Sequence, residues 1–370
     1  MQIQDFIEII DADFYTGVPD SLLRPLCDYL YSTYGVDNTH HIVAANEGNA
    51  AAIGAGYYLA TGKTPVIYLQ NSGEGNIINP LASLLSDDVY GIPAWFIIGW
   101  RGEPGIHDEP QHVNQGKITL ELLETMGVPY VVVDKELTAA ELKAQIAPLR
   151  QALKAGHQSA LVIRKGALEN EIKVKHKNDN TLTREEIIQT IAAVAGDCPL
   201  ISTTGKASRE LFEYRESIHQ GHEHDFLTVG SMGHSSSIAL GIALQKPEQQ
   251  IWCIDGDGAA IMHMGAMAVI GSVHPQNFMH VIIDNGAHES VGGMPTAAAK
   301  VDFSQIGKGC GYDYVYSVQE MAELKSVLDT ACSRDGLQML MVKAAIGARK
   351  DLGRPTISPK QNKALFMTAL

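Results

Sequence analysis

The chain has 370 residues, with 42 acidic side chains against 28 Lys and Arg and a formal charge of −14. That length holds two or three domains, and that charge argues against a nucleic-acid binder or a protein drawn to anionic membranes. No uninterrupted apolar run is long enough to span a bilayer, and the mixed, acidic start MQIQDFIEIIDADF reads as neither a secretory nor a mitochondrial signal. Cys27, Cys198, Cys253, Cys310 and Cys332 are widely spaced and odd in number, without zinc or redox spacing, which points to reduced thiols in a cytoplasm.

Short β-branched apolar runs alternate with Ala/Leu-rich amphipathic stretches. In chain order, strands are predicted at 40–46, 64–70, 93–99 and 129–134, with helices at 48–60, 76–90 and 138–154. The polar segment EIKVKHKNDNTLTREE (171–186) follows and reads as a linker; Thr183, with Glu186 three residues on, is the N-cap of the next helix. Helices at 184–195, 234–245 and 262–272 then alternate with strands at 199–203, 249–255 and 279–284, and a strand at 337–344 comes near the end. This alternation predicts an α/β protein of parallel sheets with helices on both faces. The domains are expected at 1–170 and 187–370, the second ending in a basic, Pro-containing tail (348–366) and a short helix.

The two blocks are alike. At an offset of 185 residues Gly48 matches Gly233, Ile53 matches Ile238, Gly56 matches Gly241, Leu59 matches Leu244 and Gly73 matches Gly258. Two copies of one fold offer two surfaces at their strand ends, where a ligand can be held.

The second block carries the sharpest motif. Strand IWCID runs into Gly256-Asp257-Gly258, and the following strand ends at Asp284-Asn285. The glycines permit close backbone approach, and a helix start there suits a phosphate. Asp257 and the Asn285 amide oxygen are hard ligands suited to Mg²⁺. Alone, Gly-Asp-Gly is also a common turn.

With its distant Asn, this pattern resembles the signature of the thiamine-diphosphate-dependent enzymes. The segment VGSMGHSSSIALGIAL (229–244) resembles their Gly-Ser-Met-Gly turn, and AANEGNAAAIGAGYYLATG (44–62) resembles the strand end that carries their catalytic acid. The resemblance implies two cofactor domains, a pyrimidine-binding one and a diphosphate-binding one, with no middle domain. It implies thiamine diphosphate bound by Glu47, Gly230, Ser231, Met232, Gly256, Asp257, Gly258, Ala259 and Asn285. Mg²⁺ would be held by Asp257, Asn285 and the Ala287 carbonyl. Asp284 departs from the family, which has Asn there. Met232 would wedge the cofactor into its bent form, and Glu47 would hydrogen-bond N1′ of its aminopyrimidine, which requires a protonated, desolvated carboxyl.

Further segments resemble the compact phosphonopyruvate and sulfopyruvate decarboxylase group: 14–26, 99–117, 202–215, 284–296 and 349–363. The implied reaction is Mg²⁺-assisted decarboxylation of 3-phosphonopyruvate to phosphonoacetaldehyde and CO₂. The alternatives are sulfopyruvate, another 2-oxo acid decarboxylase or an oxidoreductase subunit. So anionic a substrate on so acidic a protein calls for local cations: Arg101, Lys206, Arg349, Lys350 and Arg354. Ser21, Asn71, His107, Asp108, Gln111 and His112 are polar loop residues suited to substrate contact. Both blocks serve one cofactor in this family, usually from different subunits, so a homodimer or larger assembly is expected, with Glu47 facing Asp257 of a second copy.

Overall fold

A computed structural model describes residues 1–36, 39–289 and 293–370. They form two compact units, the first built on Met1–Lys175 and the second on His176–Glu289 with Pro295–Leu370. In the segment 284–296 picked out above, residues 290–292 lie outside the described residues.

The first unit holds six strands: Tyr15–Gly17, His41–Val43, Val66–Gln70, Trp95–Gly99, Tyr130–Val133 and Ser159–Ile163. All neighbours are parallel, in the spatial order second, first, third, fourth, sixth, fifth. Successive side chains of a strand point to opposite faces, and here both faces are buried. Val66, Tyr68, Trp95 and Ile97 pack with Phe6, Leu26 and Leu30, whereas Ile67, Leu69, Phe96 and Ile98 pack with Ala50, Ala51 and Leu81. This explains why the strands read as continuous apolar runs.

The second unit holds Leu200–Ser202, Asp225–Leu227, Ile251–Gly256, Phe278–Asp284, Tyr314–Val318 and Gln338–Lys343. Its strand order is the same, again all parallel. The first strand of the second unit starts 185 residues after that of the first, and the third keeps the same offset. The repeat is thus a duplicated fold. Among the described residues no middle domain intervenes; the stretch between the sheets holds the helix Arg184–Ala195, closed by the expected Thr183–Glu186 capping box.

Several elements differ from expectation. Four strands of the two six-stranded sheets were not expected: Tyr15–Gly17, Ser159–Ile163, Asp225–Leu227 and Tyr314–Val318. Two of them have three residues, too few to show a period. The helix expected over 138–154 divides at Ile146, ahead of Pro148, into Ala139–Gln145 and Ala147–Lys154. The one expected over 76–90 is a helix Glu74–Asn79 followed by a wider turn, Pro80–Leu84. The tail ends in the helix Pro359–Ala369, fixed to the second strand by Asn362, which donates to the Asp225 carbonyl and accepts from Leu227 N–H. Among the described residues no helix is long and apolar enough to cross a membrane.

Candidate active site

In the first unit the singled-out residues follow the carboxyl ends of four adjacent strands, where open parallel sheets bind ligands. Glu47 opens the helix Glu47–Thr61, whose N-cap Asn46 accepts from Asn49 N–H. Its side chain is buried, 5% exposed. Asn76 Nδ2 donates to Oε2 at 2.6 Å. Burial raises the Glu47 pKa above the ordinary carboxylate range, opposed by that hydrogen bond. Such a carboxyl holds a proton more readily than a solvated one.

Ser21, Asn71, Arg101 and Asp108 form one network. Arg101 donates to Asp108 through Nε and Nη2 and to Ser21 Oγ through Nη1. Asn71 brackets the Arg101 backbone, accepting from its N–H at 3.1 Å and donating to its carbonyl at 2.8 Å. Asp108 also accepts from Gly102 and Glu109 N–H, and these donors hold its pKa well below the usual range despite burial. His112 is buried with Nδ1 unpartnered, and burial lowers its pKa, as does Arg101. Gln111 is half-buried and His107 exposed, so neither is drawn into this network.

Two buried acids here escaped the sequence reading. Asp20, beside Ser21, accepts from Gln70 Nε2 and from the N–H groups of Leu22 and Leu23, and burial raises its pKa. Glu74 opens the helix Glu74–Asn79 after the third strand, 1% exposed; Gln115 Nε2 donates to its Oε2 at 3.1 Å, and burial pushes its pKa up to about 8. A carboxylate three or four residues past the end of a strand was the available signal for each.

In the second unit, Gly230, Ser231 and Gly233 have φ of 73°, 46° and 87°. Left-handed backbone at Ser231 is uncommon, and it carries the half-buried Met232 out of a tight turn. Gly233 is required: a β-carbon there would lie 2.9 Å from the Ala259 carbonyl and 2.7 Å from the His263 ring. The 230–233 turn therefore packs onto the helix Asp257–Met262, which contains Asp257, Gly258 and Ala259 and has Gly256 as its N-cap.

Asp257 is 3% exposed. Thr296 Oγ1 donates to its Oδ2. Burial, with Asp284 nearby, pushes its pKa up to about 7. Among the described residues no basic side chain forms an ion pair with it. A buried carboxylate next to a second acid, with the Asn285 amide oxygen and the Ala287 carbonyl as further oxygen donors, fits a hard divalent cation. Asn285 Oδ1 accepts from Ala287 N–H at 3.0 Å. Asp284, the departure from the family pattern, pairs with Lys343 on the adjoining strand and accepts from Gly286 N–H. It is thereby committed within the sheet.

Glu289, four residues after Asn285, was also missed. It accepts from Asn285 Nδ2 at 3.1 Å and Lys206 Nζ at 2.9 Å, with Arg184 Nη1 at 3.6 Å. These cations help lower its pKa against burial, Arg184 most. One acid thus connects Asn285 to Lys206. Arg349 pairs with Glu185, Glu213 and Asp351, so three carboxylates surround it. Lys350 and Arg354 are exposed.

Two family descriptions fit these units. "Thiamine pyrophosphate enzyme, N-terminal TPP binding domain" matches residues 2–136, and "Thiamine pyrophosphate enzyme, C-terminal TPP binding domain" matches residues 203–342. A phosphonopyruvate decarboxylase of Streptomyces viridochromogenes is 32% identical, over 93% of this chain and 88% of its own length. The chain belongs to the thiamine-diphosphate-dependent decarboxylases. As a member of that family it is a carbon–carbon lyase. A second phosphonopyruvate decarboxylase, from Streptomyces hygroscopicus, is 32% identical over 93% of this chain and 87% of its own. The sulfopyruvate decarboxylase subunit beta of Methanococcus maripaludis is 34% identical over 51% of this chain and 98% of its own. The decarboxylase fold is therefore two cofactor-binding domains of the same strand order, with no middle domain among the described residues.

Proposed function

We propose that this protein converts 3-phosphonopyruvate to phosphonoacetaldehyde and CO₂, using thiamine diphosphate and Mg²⁺. The observation that carries the reading is the likeness to a phosphonopyruvate decarboxylase over 93% of the chain. Thiamine diphosphate, when bound, supplies a nucleophilic carbon and an electron sink for the departing carboxylate. Glu47 would hold a proton for the aminopyrimidine nitrogen: its burial favours the protonated acid, and Asn76 fixes its orientation. Met232, carried by Gly230 and Ser231, would support the cofactor from the other unit. Gly256, Gly258 and Ala259 would let backbone approach the diphosphate, while Asp257, Asn285 and the Ala287 carbonyl would hold Mg²⁺.

The substrate anion would be received by Lys206, with Arg101, Lys350 and Arg354 as further cations. Ser21, Asn71 and Asp108 set the position of Arg101. Arg349, ringed by acids, is the weakest of the proposed contacts. His107, Gln111 and His112 stand as loop candidates for proton transfer. The active assembly would be a homodimer or larger, with Glu47 of one copy facing Asp257 of another, and without nucleic-acid or membrane partners.

Sulfopyruvate is the second reading, supported by the 34% identity to the beta subunit over half the chain. Turnover of both substrates, with thiamine diphosphate and Mg²⁺ each added or withheld, separates the two. Faster release of phosphonoacetaldehyde, dependent on both additions, is the expected result. Preference for sulfopyruvate would replace the substrate assignment. A requirement for an electron acceptor would move the protein to the oxidoreductases.

A further inference from the structure

A second cluster lies in the sheet of the second unit, apart from the residues assigned above. Cys253, Asp255 and His280 are 0%, 1% and 0% exposed. They sit on adjacent parallel strands: His280 is in register with Cys253, and Ile282 with Asp255. Alternate positions of a strand share a face, so the three side chains project to one side of the sheet. That side is opposite the cluster formed by Trp252, Ile254, Met279, Val281 and Ile283.

One donor atom from each lies within 4.8 Å of the other two. Asp255 Oδ2 and His280 Nε2 are 3.6 Å apart, and neither has a hydrogen-bond partner. Buried polar atoms are nearly always satisfied; these two face each other at ion-pair distance without a hydrogen bond, a separation that a bound ion could bridge. The outer atoms are already committed. His280 Nδ1 lies 3.2 Å from the Tyr312 hydroxyl, which leaves Nε2 directed at the acid. Asp255 Oδ1 accepts from Gly256 N–H at 3.0 Å. Partners of this kind, on the far side of a ligand, orient metal-binding imidazoles and carboxylates.

We propose that Cys253, Asp255 and His280 form a closed site for a thiophilic divalent cation of the zinc class. A sulfur, nitrogen and oxygen set suits zinc and does not suit Mg²⁺, which takes oxygen. Tetrahedral zinc with these ligands places donor atoms roughly 3.5 Å apart, so the trio need contract only modestly. Three protein ligands leave one coordination position for a small exogenous ligand. The thiol proton passes to solvent as the sulfur–metal bond forms. Because Asp255 also holds the first glycine of the Gly-Asp-Gly turn, occupancy would stiffen that turn from beneath.

The test uses the full-length protein expressed with added zinc, dialysed against a chelator and analysed by metal mass spectrometry. Cys198 and Cys332 line one groove and could hold a surface ion, so the Cys198→Ser/Cys332→Ser double variant is the control. Zinc should persist in the wild type and in this control. It should fall about ten-fold or more in Cys253→Ala and His280→Gln, both checked for folding by circular dichroism. Zinc absent from the wild type, or unchanged in both core variants, overturns the proposal; a metal-free His–Asp ion pair would then fill the site. The double variant grown with cobalt should also show thiolate-to-cobalt absorption. That measurement requires no core substitution, and its absence would reject the site equally.

Discussion

Gly73 closes directly over Glu47. A β-carbon at position 73 would stand 2.2 Å from Glu47 Oε1 and 2.3 Å from its carboxyl carbon. The absence of a side chain at Gly73 is what allows the carboxyl to occupy its place beside Asn76. Gly73→Ala should therefore leave the fold intact and lower kcat by about 100-fold, the scale of loss when a reacting group is misplaced by an ångström. Steady-state kinetics with circular dichroism checks this, and an unchanged kcat would detach Glu47 from the chemistry.

Glu47→Gln preserves shape but removes the acid whose burial raises its pKa. Turnover should fall by roughly 100-fold or more, while thiamine diphosphate, followed by cofactor fluorescence quenching, still binds. Loss of binding together with activity would assign Glu47 a purely structural role.

Mixing two dead chains tests the assembly. If Glu47 and Asp257 act on one cofactor from different copies, Glu47→Gln and Asp257→Asn subunits exchanged together form one intact site in each mixed dimer. About a quarter of wild-type activity should return. No recovery, with subunit exchange verified by native mass spectrometry, would place both residues of each site on one chain.

Glu74 predicts a pH dependence. Its folded-state pKa of about 8 exceeds the ordinary 4.5, so the fold favours the protonated acid. Ionisation then penalises the folded state progressively, and stability falls as pH rises from about 4.5 to about 8. Glu74→Gln should melt several degrees above the wild type at pH 8, at about 2–4 °C per kcal/mol. The gap should close towards pH 5. A constant difference across that range would show that ionisation is not its cause.

Lys206 and Arg349 should separate in kinetics. Among the described residues Lys206 forms its ion pair with Glu289 and lies beside Asn285 through that acid. Lys206→Met should raise KM for the anionic substrate about ten-fold or more, the scale of a lost charge-assisted hydrogen bond. Arg349→Met should leave KM near the wild-type value and lower the melting temperature, because Glu185, Glu213 and Asp351 already neutralise it. The reverse pattern would shift substrate recognition to the C-terminal tail.

The features set by local spacing were legible before any coordinates. Asp257 and Asn285 each close an apolar run, Glu47 precedes a small-residue helix, and the offset of 185 residues already signals duplication. Chain order was enough for these, because a strand end and the turn after it are local properties. The four missed strands were too short or too poorly bounded for periodicity to reveal them. Tertiary structure alone decided the electrostatics. Glu74 is an acid that holds its proton because burial removes it from water, against the opposing hydrogen bond from Gln115, 41 residues away. Lys206 meets Glu289 across 83 residues, and Arg349 meets Glu185 across 164. A side chain's charge state and its partner depend on what folding brings beside it, and neighbours distant in sequence leave no mark on local pattern.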